Sequence, residues 1–190
     1  MKSWTTLARR TVLHHDKFLT VELHTIALPD GSVLEDWPWL VMPEYVIVVP
    51  VTADGVFLCF RQTKYGVAGT TLAPVGGYLE PDERPLDAAK RELLEETGYT
   101  ASSWRSLGSY TVDGNRGAGT AHLFLARDAE QVAAPDADDL EEQVLLRLSR
   151  DEVARALHDG AFKVLAWTAA VSLALGYEDE RPVGEGNVAR

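Results

Sequence analysis

Cysteine is nearly absent from this chain: Cys59 stands alone among 190 residues. A disulfide framework or a cysteine metal site within one chain is therefore excluded, and a reducing cytoplasm is the expected setting. Long hydrophobic runs are also missing. The longest, Tyr45–Val51, falls far short of the roughly 20 residues a membrane span needs and suits a buried strand, so no membrane partner is expected. Met1 to Arg10 carries charges with no apolar block behind them, which is not the pattern of a secretory signal. Positive charge is scarce. Eighteen Lys and Arg against 29 Asp and Glu leave a formal net charge of -11. Such a surface repels nucleic-acid phosphates and anionic lipids, so no nucleic-acid partner is expected. The excess carboxylates either keep the protein soluble or hold divalent cations that draw in an anionic substrate; their placement decides between the two.

The hydrophobic pattern reads as mixed α and β without regular alternation, which favours an α+β fold over a doubly wound sheet. Phe18 to Ile26 and Ser32 to Trp39, joined by Pro29-Asp30-Gly31, predict an N-terminal β-hairpin. Val46 to Val51 and Val56 to Gln62 predict a second pair. Gly66 to Thr70 reads as a loop and Thr71 to Leu79 as a short strand holding Gly76-Gly77. Pro85 to Thr97 is the clearest helix, with Pro85 at a first helical position, Gly98 just past the end, and Leu86, Ala89, Leu93 and Thr97 on one face. Trp104 to Val112, Ala121 to Ala126 and Gln143 to Leu148 predict three more strands. Ser149-Arg150-Asp151-Glu152 has the capping-box form and opens a helix to about His158. A second apolar helix spans Ala161 to Leu175, capped by Gly176. Residues 1–42 are expected to form a β extension, 43–177 the main domain, and 178–190 a disordered tail.

The helix after Pro85 carries the unusual feature. Glu92, Glu95 and Glu96 stand at i, i+3 and i+4, on one side of the helix. Three like charges repel, and near a helix C-terminus the macrodipole disfavours anions as well. A solvated acidic face is one reading. A hard divalent cation held by oxygen ligands is the other, since it would offset the repulsion. Arg91 can reach Glu95 at i+4, and Glu83 precedes the helix closely enough to fold back.

This segment resembles the Nudix box, G-x5-E-x7-R-E-U-x-E-E-x-G-U with U aliphatic. Gly77, Glu83, Arg91, Glu92, Leu93, Glu95, Glu96 and Gly98 fall on its specified positions across 23 residues. Tyr99 departs from the aliphatic preference at the last position. The resemblance implies a Nudix α/β/α sandwich with a mixed sheet, here with an N-terminal β-hairpin extension. It implies that Glu92, Glu95 and Glu96 ligate magnesium or manganese, with the Gly76 carbonyl as a further ligand. It makes Glu83 a supporting acid, Arg91 a structural partner of Glu83 or Glu95, and Gly77 a place where backbone passes close to a diphosphate. A metal-bound water then attacks phosphorus and releases a nucleoside monophosphate.

Features outside the box are similar to the branch that hydrolyses ADP-ribose and other nucleotide sugars. These are Leu28-Pro29-Asp30-Gly31 and Phe60-Arg61-Gln62-Thr63-Lys64-Tyr65, although arginine is usual where Lys64 stands. The branch implies a homodimer formed through the N-terminal segment, with Trp37 and Trp39 as base-stacking candidates and Arg61 as a substrate contact. The serine-proline-glycine segment usual in that branch is replaced by Asp113-Gly114-Asn115-Arg116-Gly117. Arg116 is either part of a hairpin turn or a phosphate contact. The acidic stretch Asp136 to Glu142 lies where the branch carries its catalytic base, with Glu141 and Glu142 as first candidates and Asp139 next. The expected activity is metal-dependent hydrolysis of a nucleoside diphosphate sugar such as ADP-ribose. The alternatives are a nucleoside triphosphate pyrophosphohydrolase and a catalytically silent ligand sensor. Dispersed His14, His15 and His122 read as surface or structural, and Cys59 as core.

Overall fold

The computed structural model describes residues 2–136 and 142–179. It divides into two compact units, one of Met1–Tyr45 with Ser109–Ala121, the other of Val46–Gly108 with His122–Arg190. Strands β8 (Tyr99–Asp113) and β9 (Gly117–Gln131) contribute residues to both.

The first unit is built on three antiparallel strands, β1 (Thr5–His15), β2 (Leu19–Ala27) and β3 (Val33–Val41). The predicted hairpin is β2 and β3. Its turn is closed by Gly31 at φ 89° and by Asp30, whose side chain accepts from the Ser32 N–H at 2.9 Å. β1 is a correction to the expected pattern. Its side chains are exposed along the whole strand, so no apolar alternation marked it, and His14 and His15 lie inside it. β3 also meets the start of β9 in parallel, Leu40 opposite Gly117.

The second unit carries the strand order β9-β4-β5-β10, with β6 on β5, β7 on β4 and β8 on β9. β4 (Tyr45–Thr52) is buried from Val46 to Thr52, the continuous apolar reading of a strand covered on both faces. β5 (Phe57–Lys64) pairs with both β6 (Val67–Ala73) and β10 (Gln143–Leu148). The expected loop at 66–70 is therefore mostly strand: Lys64 pairs with Val67, and a tight turn with a fully exposed Tyr65 suffices. β7 (Val75–Tyr78) holds the Gly76-Gly77 pair at its centre.

Helix α1 (Pro85–Thr97) has the predicted bounds. Arg84 is held extended by the proline that follows, and Gly98 closes the helix in the left-handed region at φ 73°. A side chain at Gly98 would also collide with the Ala133 carbonyl. The buried face is Ala88, Ala89, Leu93 and Thr97. Leu86, expected on that face, is instead 36% exposed, because in the first turn the core is met by Ala88 and Ala89. This face packs against Val46, Val48, Leu58, Phe60, Ala73 and Val75 of the sheet, with Tyr99 and Phe124 completing the cluster. Helix α2 (Arg150–His158) starts with the predicted reciprocal capping box between Ser149 and Glu152. Helix α3 runs Leu165–Asp179, later than expected at both ends. Residues 161–164 are tied to β6 instead, by Leu72 N–H to the Ala161 carbonyl (2.9 Å) and Lys163 N–H to Thr71 Oγ1 (3.1 Å). Gly176 lies within the helix. Residues 180–190 of the expected tail lie outside the described residues. No described helix is long and apolar enough to cross a membrane.

Candidate active site

The local chemistry of α1 is organised by one guanidinium. Arg91 Nε and Nη2 each donate to a Glu83 oxygen at 2.9 Å, a bidentate fork. Its Nη1 donates to Glu92 Oε1 at 2.8 Å and Glu95 Oε2 at 3.1 Å, and Nη2 also reaches the Tyr78 carbonyl at 3.1 Å. One side chain thus joins the helix, the segment before it and the end of β7. The expected partnership of Arg91 with Glu83 or Glu95 is found with both. Tyr78 was not anticipated, since a backbone carbonyl leaves no mark in residue type.

These contacts set the electrostatics. Hydrogen bonding from Arg91 holds the Glu83 carboxyl below its ordinary range. The same Glu83 bonds, with Glu92 and Glu95 adding to them, push the arginine further above its usual value. Glu92 moves the other way. Its side chain is only 12% exposed, and desolvation raises its carboxyl pKa despite the opposing bond from Arg91.

Gly76 and Gly77 face these carboxylates. The Gly76 N–H donates to Glu96 Oε2 at 3.2 Å. A Cβ placed on Gly77 would run into the Glu92 carboxylate, so glycine at this position leaves the space that Glu92 fills. Gly76 is restricted from the other side, where a Cβ would meet the Val46 carbonyl at 2.5 Å. The pair therefore forms a backbone cradle against which Glu92 and Glu96 both lie. Among the described residues, no three His, Cys, Asp or Glu side chains are already gathered as a ligand set. Glu92 and Glu95 point to one arginine nitrogen, while Glu96 points to the cradle. The donors on offer are nonetheless all hard oxygens, three carboxylates and the backbone at Gly76, and they suit magnesium or manganese.

The end of α1 is fastened to the segment that leads into the acidic stretch of sequence at 136–142. Val132 and Ala133 N–H donate to the Gly98 carbonyl, and Asp136 N–H donates to the Glu95 carbonyl at 2.9 Å. Glu141 and Asp139 lie outside the described residues. Glu142 is described, and it lines a cleft of about 210 Å³ with Arg61, Gln62, Thr63, Thr70 and Val144. Arg61 and Glu142 are thus brought together, because β5 and β10 pair Arg61 with Val144.

The remaining candidates belong to the first unit. Trp37 Nε1 donates to the Asn115 carbonyl at 2.8 Å, and Trp39 stacks on the buried His24 with ring centroids 5.3 Å apart. Both line a cavity of about 620 Å³. Arg116 lies in the turn whose backbone N–H groups at 115 and 116 are received by Asp113 Oδ1, and its guanidinium meets Asp113 at 3.4 Å.

The fold and this clamp define a class. Residues 42–168 match the NUDIX domain, more than half of the chain, and the chain belongs to that family of hydrolases. Two curated relatives are similar over much of their length. The chain is 30% identical over 149 residues to CMP-5'-(N-acetyl-N-hydroxy-3-aminopropyl)phosphonate hydrolase of Streptomyces rubellomurinus, covering 78% of this chain and 71% of that protein. It is 29% identical over 112 residues to the ADP-ribose pyrophosphatase of Bacillus subtilis, covering 59% of this chain and 60% of the relative. The fold is shared with the crystal structure of an ADP compounds hydrolase at a TM-score of 0.79 and 22% identity, over 94% of this chain and 96% of that one.

Proposed function

We propose that this Nudix hydrolase cleaves the diphosphate linkage of a nucleoside diphosphate sugar or a related nucleotide conjugate, releasing a nucleoside monophosphate. The observation that carries this reading is the Gly76-Gly77 cradle with Glu92 and Glu96 against it and Arg91 locking the neighbouring carboxylates. Both curated relatives are named for hydrolysis of nucleotide conjugates, which supports the substrate class.

In this proposal Glu92, Glu95, Glu96 and the Gly76 carbonyl hold magnesium or manganese. The cation supplies neutralisation of the diphosphate oxygens and a lowered pKa for bound water. Arg91 keeps Glu92 and Glu95 in place, and Glu83 holds Arg91, so Glu83 acts on the site at second hand. Gly77 keeps side-chain atoms out of the path of the diphosphate. Arg61 donates to a substrate phosphate by charge-assisted hydrogen bonds. A carboxylate of the 136–142 segment, Glu142 or Glu141, takes the proton of the attacking water. Trp37, Trp39 and Arg116 are the binding candidates of the first unit. A homodimer and a cytoplasmic location complete the proposal, the latter supported by the single buried thiol Cys59.

The test is a panel of nucleoside diphosphate compounds with magnesium or manganese, read as phosphate after phosphatase coupling. Turnover of nucleotide sugars is expected. Turnover of nucleoside triphosphates alone would move the assignment to a pyrophosphohydrolase, and no turnover of any compound would favour a ligand sensor.

A further inference from the structure

Tyr99 is the one box position where this chain departs from the usual aliphatic residue, and its hydroxyl has a specific partner. The ring is 7% exposed and lies in the core cluster with Phe60, Leu93 and Phe124. The hydroxyl accepts from Arg147 Nη1 of β10 at 3.1 Å. A buried phenol needs such a partner, whereas an aliphatic residue in the same place needs none. Replacing both members of a pair by apolar groups is often nearly neutral, so stability alone does not require this bond.

The bond joins two elements that carry the proposed chemistry. Tyr99 follows α1 directly and is tied back to it: its N–H donates to Thr97 Oγ1 at 3.1 Å, and Thr97 Oγ1 donates to the Leu93 carbonyl. The phenol is thus fixed relative to the helix that bears Glu92, Glu95 and Glu96. Arg147 stands on a strand of six residues that ends the sheet order and takes its register from β5. Arg147 Nη2 also lies 3.9 Å from Asp54 Oδ2, in the turn between β4 and β5. One guanidinium therefore sets β10 against that turn and against the end of α1. Glu142 immediately precedes the first residue of β10. A slip of one residue along the strand would move it by about 3.3 Å. A general base has to reach its water within roughly 2.6–3.2 Å, so a slip of that size takes it out of action.

We infer that Tyr99 is a positioning residue, which acts through Arg147 to hold β10, and with it Glu142, in fixed register relative to the carboxylates of α1. The inference rests on the hydrolytic reading and takes Glu142 as the base.

The test compares wild type with Tyr99→Phe, which removes only the hydroxyl, and Arg147→Met, which keeps the stem and removes the donors. With magnesium and the best nucleotide conjugate of the panel, each variant should lower kcat about tenfold and leave KM within about twofold. The double variant should be no worse than either single one. The deficit should narrow as pH is raised from about 7 to about 9, because hydroxide replaces base-assisted water. Deuterium exchange gives a readout free of turnover: amides of residues 142–148 should exchange about tenfold faster in Tyr99→Phe, while those of α1 stay as in wild type. Wild-type kcat in Tyr99→Phe, a deficit equal at both pH values, or unchanged exchange at 142–148 overturns the positioning role alone. A wild type that turns over no nucleotide conjugate overturns the hydrolytic reading, and this role with it.

Discussion

The carboxylate corner of α1 and the aromatic face of the first unit are assembled by opposite routes. Glu92, Glu95 and Glu96 lie within five residues, and helical periodicity alone brings them to one side. Arg9 and Trp37 stand 28 positions apart with His24 between them, and the three meet only through the register of three strands. The first site is a local consequence of composition. The second is a consequence of pairing, where a slip of one residue would turn every side chain to the other face. A local arrangement is visible in a short pattern, while a non-local one leaves unremarkable residues scattered along the chain.

Four substitutions or titrations break or sharpen this contrast. The largest effect is expected at Glu96→Gln, which should lower turnover of the best nucleotide conjugate by about a hundredfold or more. The carboxamide retains an acceptor for the Gly76 N–H, so the melting temperature should be nearly unchanged. Wild-type turnover in this variant would remove Glu96 from the site. Next, Leu93→Ala should destabilise the protein by about 3 kcal/mol in denaturant titration, because Leu93 is 0% exposed in the core cluster. A loss under about 1 kcal/mol would mean that α1 is held by its charges more than by its buried face.

In the first unit, Gly117→Ala should cost about 1–3 kcal/mol. A Cβ there meets the Trp39 ring, and the backbone is at φ 80°. Gly114→Ala, in the same turn with open space around it, should be nearly neutral. Equal melting temperatures for the two variants would show that Trp39 is not clamped by this turn. The smallest effect is a pH dependence. Arg91 holds the Glu83 carboxyl below its ordinary 4.5. A carboxyl depressed in the folded state contributes stability above its unfolded pKa and loses it as pH falls through the folded value. The melting-temperature gap between wild type and Glu83→Gln should therefore be constant from neutral pH to about 5 and close on further acidification. A gap that persists unchanged to pH 2.5 would mean that the Glu83–Arg91 fork adds nothing to folding.

Much of the second unit was legible in advance. Pro85 and Gly98 bounded α1 because each has a backbone preference that acts within one residue. Ser149 and Glu152 marked α2 for the same reason. Leu86 misled because its spacing suits the buried face, while Ala88 and Ala89 take the core contacts at that end of α1. Three features were hidden. β1 has no apolar alternation, since all its side chains are exposed, and only its pairing with β2 makes it a strand. The turn at Lys64–Val67 looked like a loop because a two-residue connection and a longer one share the same glycine. Tyr99, the one departure from the box, is only 7% exposed and its hydroxyl accepts from Arg147 Nη1 at 3.1 Å, a contact between residues 48 positions apart.

By itself the sequence determined the carboxylate helix, its clamp residue, its glycine cradle and, through them, the family. All of these depend on spacings that a helix or a tight turn converts directly into geometry. Tertiary structure alone decided that one arginine serves Glu83, Glu95 and the Tyr78 carbonyl together, that Arg61 and Glu142 line one cleft, and that Trp39 is packed on His24 while Trp4 and Trp37 meet edge to face. Those outcomes depend on strand register and on which face of a ring is covered, and both are fixed by contacts between residues that the chain keeps far apart.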